Sequence, residues 1–318
     1  MVSAKTKLYF VTDVHGSEKC FRKFLNAGPV YQADVMILGG DLAGKELQVI
    51  KREPNGKYSF TLRGKKYDLV DDADLESAQQ FIADIGYYSY VAEPGEIEEL
   101  QKTEKLEAFF EVLMRERLLK WLQLADERLR PINKPLYWML GNDDPNSWAP
   151  LLRDAPWGTY AEDGVLKIDD SHEMISWGYA NPTPWETARE QNELELLASI
   201  TNLAESVTDM GNAIFNLHAP PFDTGLDLAP MLSKDLVPQS ESGQVKMVPV
   251  GSKSIREVLE NYQPMLGLHG HIHESAGFRK LGRTLVINPG SDHTTGALNG
   301  VLVTLEKNKL NGHQIVRG

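Results

Sequence analysis

The chain has 318 residues, 42% hydrophobic and 25% charged, with a formal net charge of −12 and a single cysteine. That is enough chain to bury a sizeable core, either as one α/β domain with a large insertion or as two smaller units. The acidic balance argues against a long nucleic acid as partner, because such binding needs many Lys and Arg against phosphates. Cys20 allows no disulfide framework, and no stretch nears the ~18 apolar residues of a membrane span, so the expectation is a cytoplasmic protein with no membrane partner.

In chain order, short apolar runs end in polar fragments. Leu8–Val11 leads to Asp13-Val14-His15, with Glu18–Ala27 as a short helix behind it. Val35–Leu38 leads to Gly40-Asp41, and Leu136–Leu140 to Gly141-Asn142-Asp143-Asp144. Ala213–Leu217 leads to His218, and Met265–Leu268 to Gly270-His271-Ile272-His273. Runs of this kind are buried strands, and open α/β sheets place their ligands just past the carboxyl ends. Pro184–Ser206 has Leu194, Leu197, Ile200 and Leu203 at helical spacing, and Ser252–Leu259 is a second helix with serines as caps. Met174–Tyr179, Leu285–Ile287 and Val301–Leu305 add strands, so two layers of strands enclosed by helices use all of these runs.

Residues 42–131 separate the second fragment from the third by far more than the ~30 residues of a βαβ unit. Leu47–Val70 alternates like strands, with Pro54-Asn55-Gly56-Lys57 as a hairpin turn, and Glu96–Arg130 is a long helical pattern. We read the chain as one domain, 1–318, with 42–131 as an inserted hairpin-plus-helix cap or oligomer contact. An exposed face of the long helix would make a homo-oligomer. Pro220–Gly251, rich in Pro, Gly and Ser, reads as a long loop.

The polar fragments are the N and O donors that hold two divalent cations side by side. Adjacent cations repel, so they need a shared carboxylate, and Asp41 after Gly-Gly at a strand end suits that role. Asp13 and His15 alternate along an extended backbone and aim at one metal, and His271 and His273 share their spacing. Asn142 offers a neutral amide oxygen, and His218 completes the second metal. Such a pair of ions suits hydrolysis of a phosphate ester by in-line attack of a shared water or hydroxide. His269 reads as a core histidine, while His293 lies within reach of the rim. Arg22 and Arg189 are candidates for gripping a phosphate.

The ordered set resembles the calcineurin-like metallophosphoesterase superfamily, whose signature is Asp-x-His, Gly-Asp, Gly-Asn-His/Asp, His and Gly-His-x-His. His218-Ala219-Pro220-Pro221, Asn181-Pro182-Thr183-Pro184 and Asn288-Pro289-Gly290-Ser291 further resemble its bacterial and archaeal phosphodiesterase-like branch. The resemblance implies a four-layer αββα sandwich of two mixed sheets. It assigns Asp13, His15, Asp41 and His273 to one metal, and Asp41, Asn142, His218 and His271 to the other. Asp144 would orient these ligands. It implies two transition-metal ions (Mn, Fe, Co, Ni or Zn) and a catalytic set of Asn142, Asp143 and His218.

Many members carry His where this chain has Asp143. An ionised Asp143 would repel a dianionic monoester more than a monoanionic diester, so a small phosphodiester is the expected substrate. Phosphomonoesterase and nuclease are the alternatives. A non-catalytic scaffold is less favoured, because scaffolds of this superfamily have lost ligating histidines and here every position is filled.

Overall fold

The computed structural model describes residues 5–96 and 104–318. The chain opens with β1 (Thr6–Val11), α1 (Glu18–Val30) and β2 (Val35–Gly39). It continues through β3 (Leu47–Arg52), β4 (Tyr58–Leu62), β5 (Lys65–Leu69), α2 (Asp72–Asp84), β6 (Tyr88–Ala92) and α3 (Glu104–Leu129). Next come β7 (Leu136–Met139), α4 (Ala149–Arg153), β8 (Thr159–Tyr160), β9 (Leu166–Lys167), β10 (Glu173–Trp177), α5 (Glu193–Ala204) and β11 (Ala213–Leu217). Then follow β12 (Leu228–Pro230), β13 (Ser240–Glu241), β14 (Gln244–Val245), β15 (Met247–Pro249), α6 (Lys253–Tyr262) and β16 (Leu266–Leu268). The last elements are β17 (Gly277–Leu281), β18 (Thr284–Asn288), β19 (Asn299–Glu306) and β20 (Lys309–Arg317).

Two six-stranded mixed sheets result, ordered β20-β19-β1-β2-β7-β8 and β17-β18-β16-β11-β10-β9. Their central strands run parallel. Alternation within strands explains the layers. Leu8 and Phe10 of β1 and Ile37 of β2 meet Met174, Ile214, Leu266 and Ile287 of the other sheet. Tyr9, Val11, Met36 and Leu38 point the opposite way, onto Phe21 and Phe24 of α1 and Trp121 and Leu122 of α3. On the far side, Ile175 and Phe215 pack on Ile200 of α5 and on Ile255 and Leu259 of α6. Helices, sheet, sheet, helices is the αββα order expected. Each side chain buried this way stabilises the fold by about 1.5–3 kcal/mol.

Residues 42–131 carry their own four-stranded sheet, β5-β4-β3-β6, with α2 against it through Ala78 and Ile82. The expected hairpin turn lies between β3 and β4, and a second one at Arg63-Gly64 has both φ angles positive, the pattern that two-residue hairpins favour. The long helix is α3; the part of its pattern at 97–103 lies outside the described residues. Phe21 of α1 stacks on Trp121 at 4.2 Å, which fixes α3 against the sandwich.

Two readings need correction. The 184–206 helix begins only at Glu193, because Asn192 caps it and Glu195 returns the bond in a capping box. Its buried face is Leu196, Ile200 and Ala204, and Leu194 is 80% exposed. The 220–251 loop is not structureless, since it folds into the small pairs β12–β15 and β13–β14.

Candidate metal centre

All the fragments meet. Parallel strands bring Asp13 and His15 after β1, Asp41 after β2 and Asn142 after β7 to one edge of the first sheet. His218 after β11 and His271 and His273 after β16 come from the same edge of the second. The local backbone differs from the extended Asp13-x-His15 reading. Asp13, His15, Asp41 and His271 have φ of 54°, 39°, 51° and 66°, in the left-handed region. The loops are tight turns that aim several groups at one point, at about 1–2 kcal/mol for each such residue. Neighbouring glycines make room. A Cβ on Gly141 would lie 2.1 Å from Asp41 Oδ1, and one on Gly270 would lie 2.3 Å from Asp13 Oδ2.

Asp41 sits in the middle. Its Oδ1 accepts from the Asp143 N–H at 3.0 Å. Its Oδ2 lies 3.5 Å from His15 Nε2 and 3.3 Å from His218 Nε2, between the two. On the His15 side, His15 Nε2 and His273 Nε2 are 3.0 Å apart, and Asp13 Oδ1 is 3.9 and 3.4 Å from them. On the His218 side, Asn142 Oδ1 lies 3.1 Å from His218 Nε2 and 2.7 Å from His271 Nδ1.

The donor set fits cations. His15 and His218 donate their Nδ1–H to the carbonyls of Ala43 and Gly39, so each turns an Nε2 lone pair inward. Asn142 donates Nδ2–H to Thr187 Oγ1, so its oxygen also faces inward. Converging lone pairs need positive charge among them. Ligands bound at ~2.1 Å to one ion lie ~3.0 Å apart when adjacent and ~4.2 Å when opposite. The separations above fall within those limits except the 2.7 Å between Asn142 Oδ1 and His271 Nδ1, which is a few tenths of an ångström short.

Burial works against a charged His218, yet Asp41 and Asp13 raise its pKa to about 10. Burial would also raise Asp13, but its bond to His273 and the His218 charge hold it well below the carboxylate range. Burial and Asp41 push Asp144 up to about 6, against the three N–H groups of Leu42, Ala43 and Gly141 that it accepts. Those bonds tie the Asp41 loop to the Asn142 loop.

Asp143 stands beside the centre, and sequence reasoning missed its partner. Lys45, four residues after Asp41, forms an ion pair with it. Burial and Asp41 push Asp143 up to about 7 against the pull of Lys45. The pairing offsets the charge on which the expected repulsion of dianions rested. Arg189 is also reassigned. It is buried against Glu162 at 2.7 Å, and its backbone N–H donates to the Asn142 carbonyl, so it supports the loop from behind. Arg22 pairs with Glu18 on α1, away from the donors. His269 is a core histidine, as expected, donating to the Leu217 or Ala219 carbonyl. Arg117 of α3 went unforeseen. It donates to the Gly16 carbonyl at 2.8 Å and covers the Tyr88 ring at 4.0 Å, while Tyr88 accepts from Gly44 N–H.

No family model matches the chain. Over 127 residues it is 34% identical to the uncharacterized protein MJ1162 of Methanocaldococcus jannaschii; the match covers 39% of this chain and half the length of that relative. As a whole it resembles TT1561 of Thermus thermophilus, with a TM-score of 0.51 and 13% identity over 99% of both chains. The two chains share the αββα sandwich. A dimetal phosphatase of Danio rerio is a more distant likeness, with a TM-score of 0.44 and 7% identity over 98% of both chains. Within this fold, the groups able to hold a metal include Asp13 with His15 and Asp41, and Asp41 with His218 and His271.

Proposed function

We propose that the chain is a dinuclear metal-dependent phosphodiesterase. The observation that carries this reading is the position of Asp41 Oδ2, between His15 and His218, with its other oxygen fixed by Asp143 N–H. Asp13, His15, Asp41 and His273 would hold one ion, and Asp41, Asn142, His218 and His271 the other. Two cations held there lower the pKa of a shared water and neutralise phosphoryl charge. Mixed imidazole and oxygen donors suit Mn, Fe, Co, Ni or Zn. Asn142 and His218 position the phosphoryl group, and the buried loops exclude bulk water around it.

The diester preference rests on position 143. The position after Asn142 holds a carboxyl tied to Lys45 in place of an imidazole free to serve the leaving group, which favours esters with good leaving groups. Lys45 supports a second reading, a phosphomonoesterase, because its half-exposed ammonium adds positive charge beside the centre. The proposal includes a single domain with residues 42–131 inserted, a small soluble substrate and a cytoplasmic setting, which the lone buried Cys20 suits. A homo-oligomer through α3 would use its exposed Val112 and Leu119.

The test compares bis(4-nitrophenyl) phosphate with 4-nitrophenyl phosphate after reloading with each metal. Metal-dependent turnover, faster on the diester, is expected. Asp143→His should raise monoester turnover relative to diester turnover; an unmoved ratio would remove position 143 from the account of specificity.

A further inference from the structure

One imidazole beside the centre has no place in the seven-residue set. His293 follows the Asn288-Pro289-Gly290-Ser291 turn after β18, at the same edge of the second sheet as His218 and His271. Its ring lies 4.6 Å from that of His15 and 5.4 Å from that of His273, centroid to centroid, at 48° and 87°. One ring nitrogen from each of the three falls within 4.8 Å of the others, a spacing that allows a common ion.

The tautomer follows from Ser291. Its hydroxyl donates to the Asp13 carbonyl at 2.7 Å, so its oxygen is left to accept, and His293 Nδ1 is 3.2 Å away. His293 therefore carries its proton on Nδ1 and presents Nε2 as a lone pair. His15 and His218 are held the same way, with Nδ1–H on a backbone carbonyl and Nε2 free. An oxygen acceptor behind one nitrogen is the usual setting of a metal-ligating histidine. Gly86, between α2 and β6, backs the ring, since a Cβ there would lie 3.5 Å from His293 Cδ2.

We propose that His293 is an additional ligand of the ion on the His15 side, through Nε2. The inference rests on the dinuclear reading above. That ion would then have five protein donors, Asp13, His15, Asp41, His273 and His293, while the ion on the His218 side has four. The ion with fewer protein donors is the one left to take a phosphoryl oxygen. Three imidazoles also shift the His15 side away from Mg and Mn, toward Fe, Co, Ni and Zn.

The test loads Co(II) into wild type, His293→Ala and His293→Phe, the last keeping the ring volume without a donor. Metal content after gel filtration, titrated affinity and the visible Co(II) spectrum are read. Wild type should hold two equivalents. Each variant should bind one of them about tenfold or more weaker, with a changed spectrum, and retain the other. Variants that keep two equivalents at wild-type affinity and with an unchanged spectrum, or that lose both together, overturn the assignment and leave the dinuclear reading intact. A wild type that takes up no metal overturns both.

Discussion

On one side of Asp41 stand His218, Asn142 and His271, and on the other stand His15, His273 and His293; the two flanks are supported by different parts of the chain. The His218 flank belongs to the sandwich. His218 is fully buried, its ring is bonded to the Gly39 carbonyl, and its backbone joins Trp177 and Gly270 across the second sheet. The His15 flank is more exposed, with the His273 side chain 28% exposed, and it leans on residues 42–131. His15 is bonded to Ala43, Gly16 to Leu42 and Arg117, and the His293 ring rests on Gly86. The comparison teaches that residues 42–131 can matter to the centre without touching a substrate, by holding one flank in place.

The severest way to break this picture is Asp41→Asn, which removes the carboxylate both flanks share. Turnover on bis(4-nitrophenyl) phosphate should drop on the order of a thousandfold, with lower metal content. Full turnover would sink the shared-carboxylate account. Gly141→Ala is aimed at the sandwich flank. The added Cβ must displace Asp41 or the β7 end, and kcat/KM should fall about a hundredfold, as misplacement by ~1 Å costs elsewhere. Arg117→Ala sharpens the comparison. It should weaken only the ion beside His15, by about tenfold in a metal titration. Equal weakening of both ions would show that the flanks are not independently supported.

The smallest effect expected is on pH dependence. In chelated protein, Asp143 has a pKa of about 7 against an ordinary 3.8, so the folded chain keeps a proton that the unfolded chain releases. Stability should decline as pH rises across that window. His218, at about 10 against 6.5, contributes stability that is fully present below 6.5 and lost on the way to 10. With saturating metal the slope should reverse across the His218 window, because His218 must shed its proton to bind. Melting temperature against pH, with chelator and with Co(II), reads both slopes.

Most of the fold was legible because β1, β2, β7, β11 and β16 are apolar runs that stop at polar fragments, a pattern that strands buried on both faces impose. The convergence of Asp13, Asp41, Asn142, His218 and His271 was legible for the same reason. The backbone of the Asp13-x-His15 turn was not, since alternating polar residues suggest extension and nothing local signals positive φ at Asp or His. The α5 start was misread because apolar spacing continues through the 184–192 loop, whereas Asn192 and Glu195 decide where the helix begins. Arg117 on Gly16 and Lys45 on Asp143 depend on how residues 42–131 fold back, which no local pattern encodes.

The oxygen donors Asp13, Asp41 and Asn142 come from the first sheet, and the imidazoles of His218, His271 and His273 from the second. Ions gripped by both would rivet the two halves of the sandwich, much as a cross-link between chain positions as distant as 15 and 273 would. Closing so large a loop restrains the unfolded chain strongly. Chelation should therefore lower the melting temperature as well as abolish turnover, so that mechanical integrity and catalytic competence would be lost together.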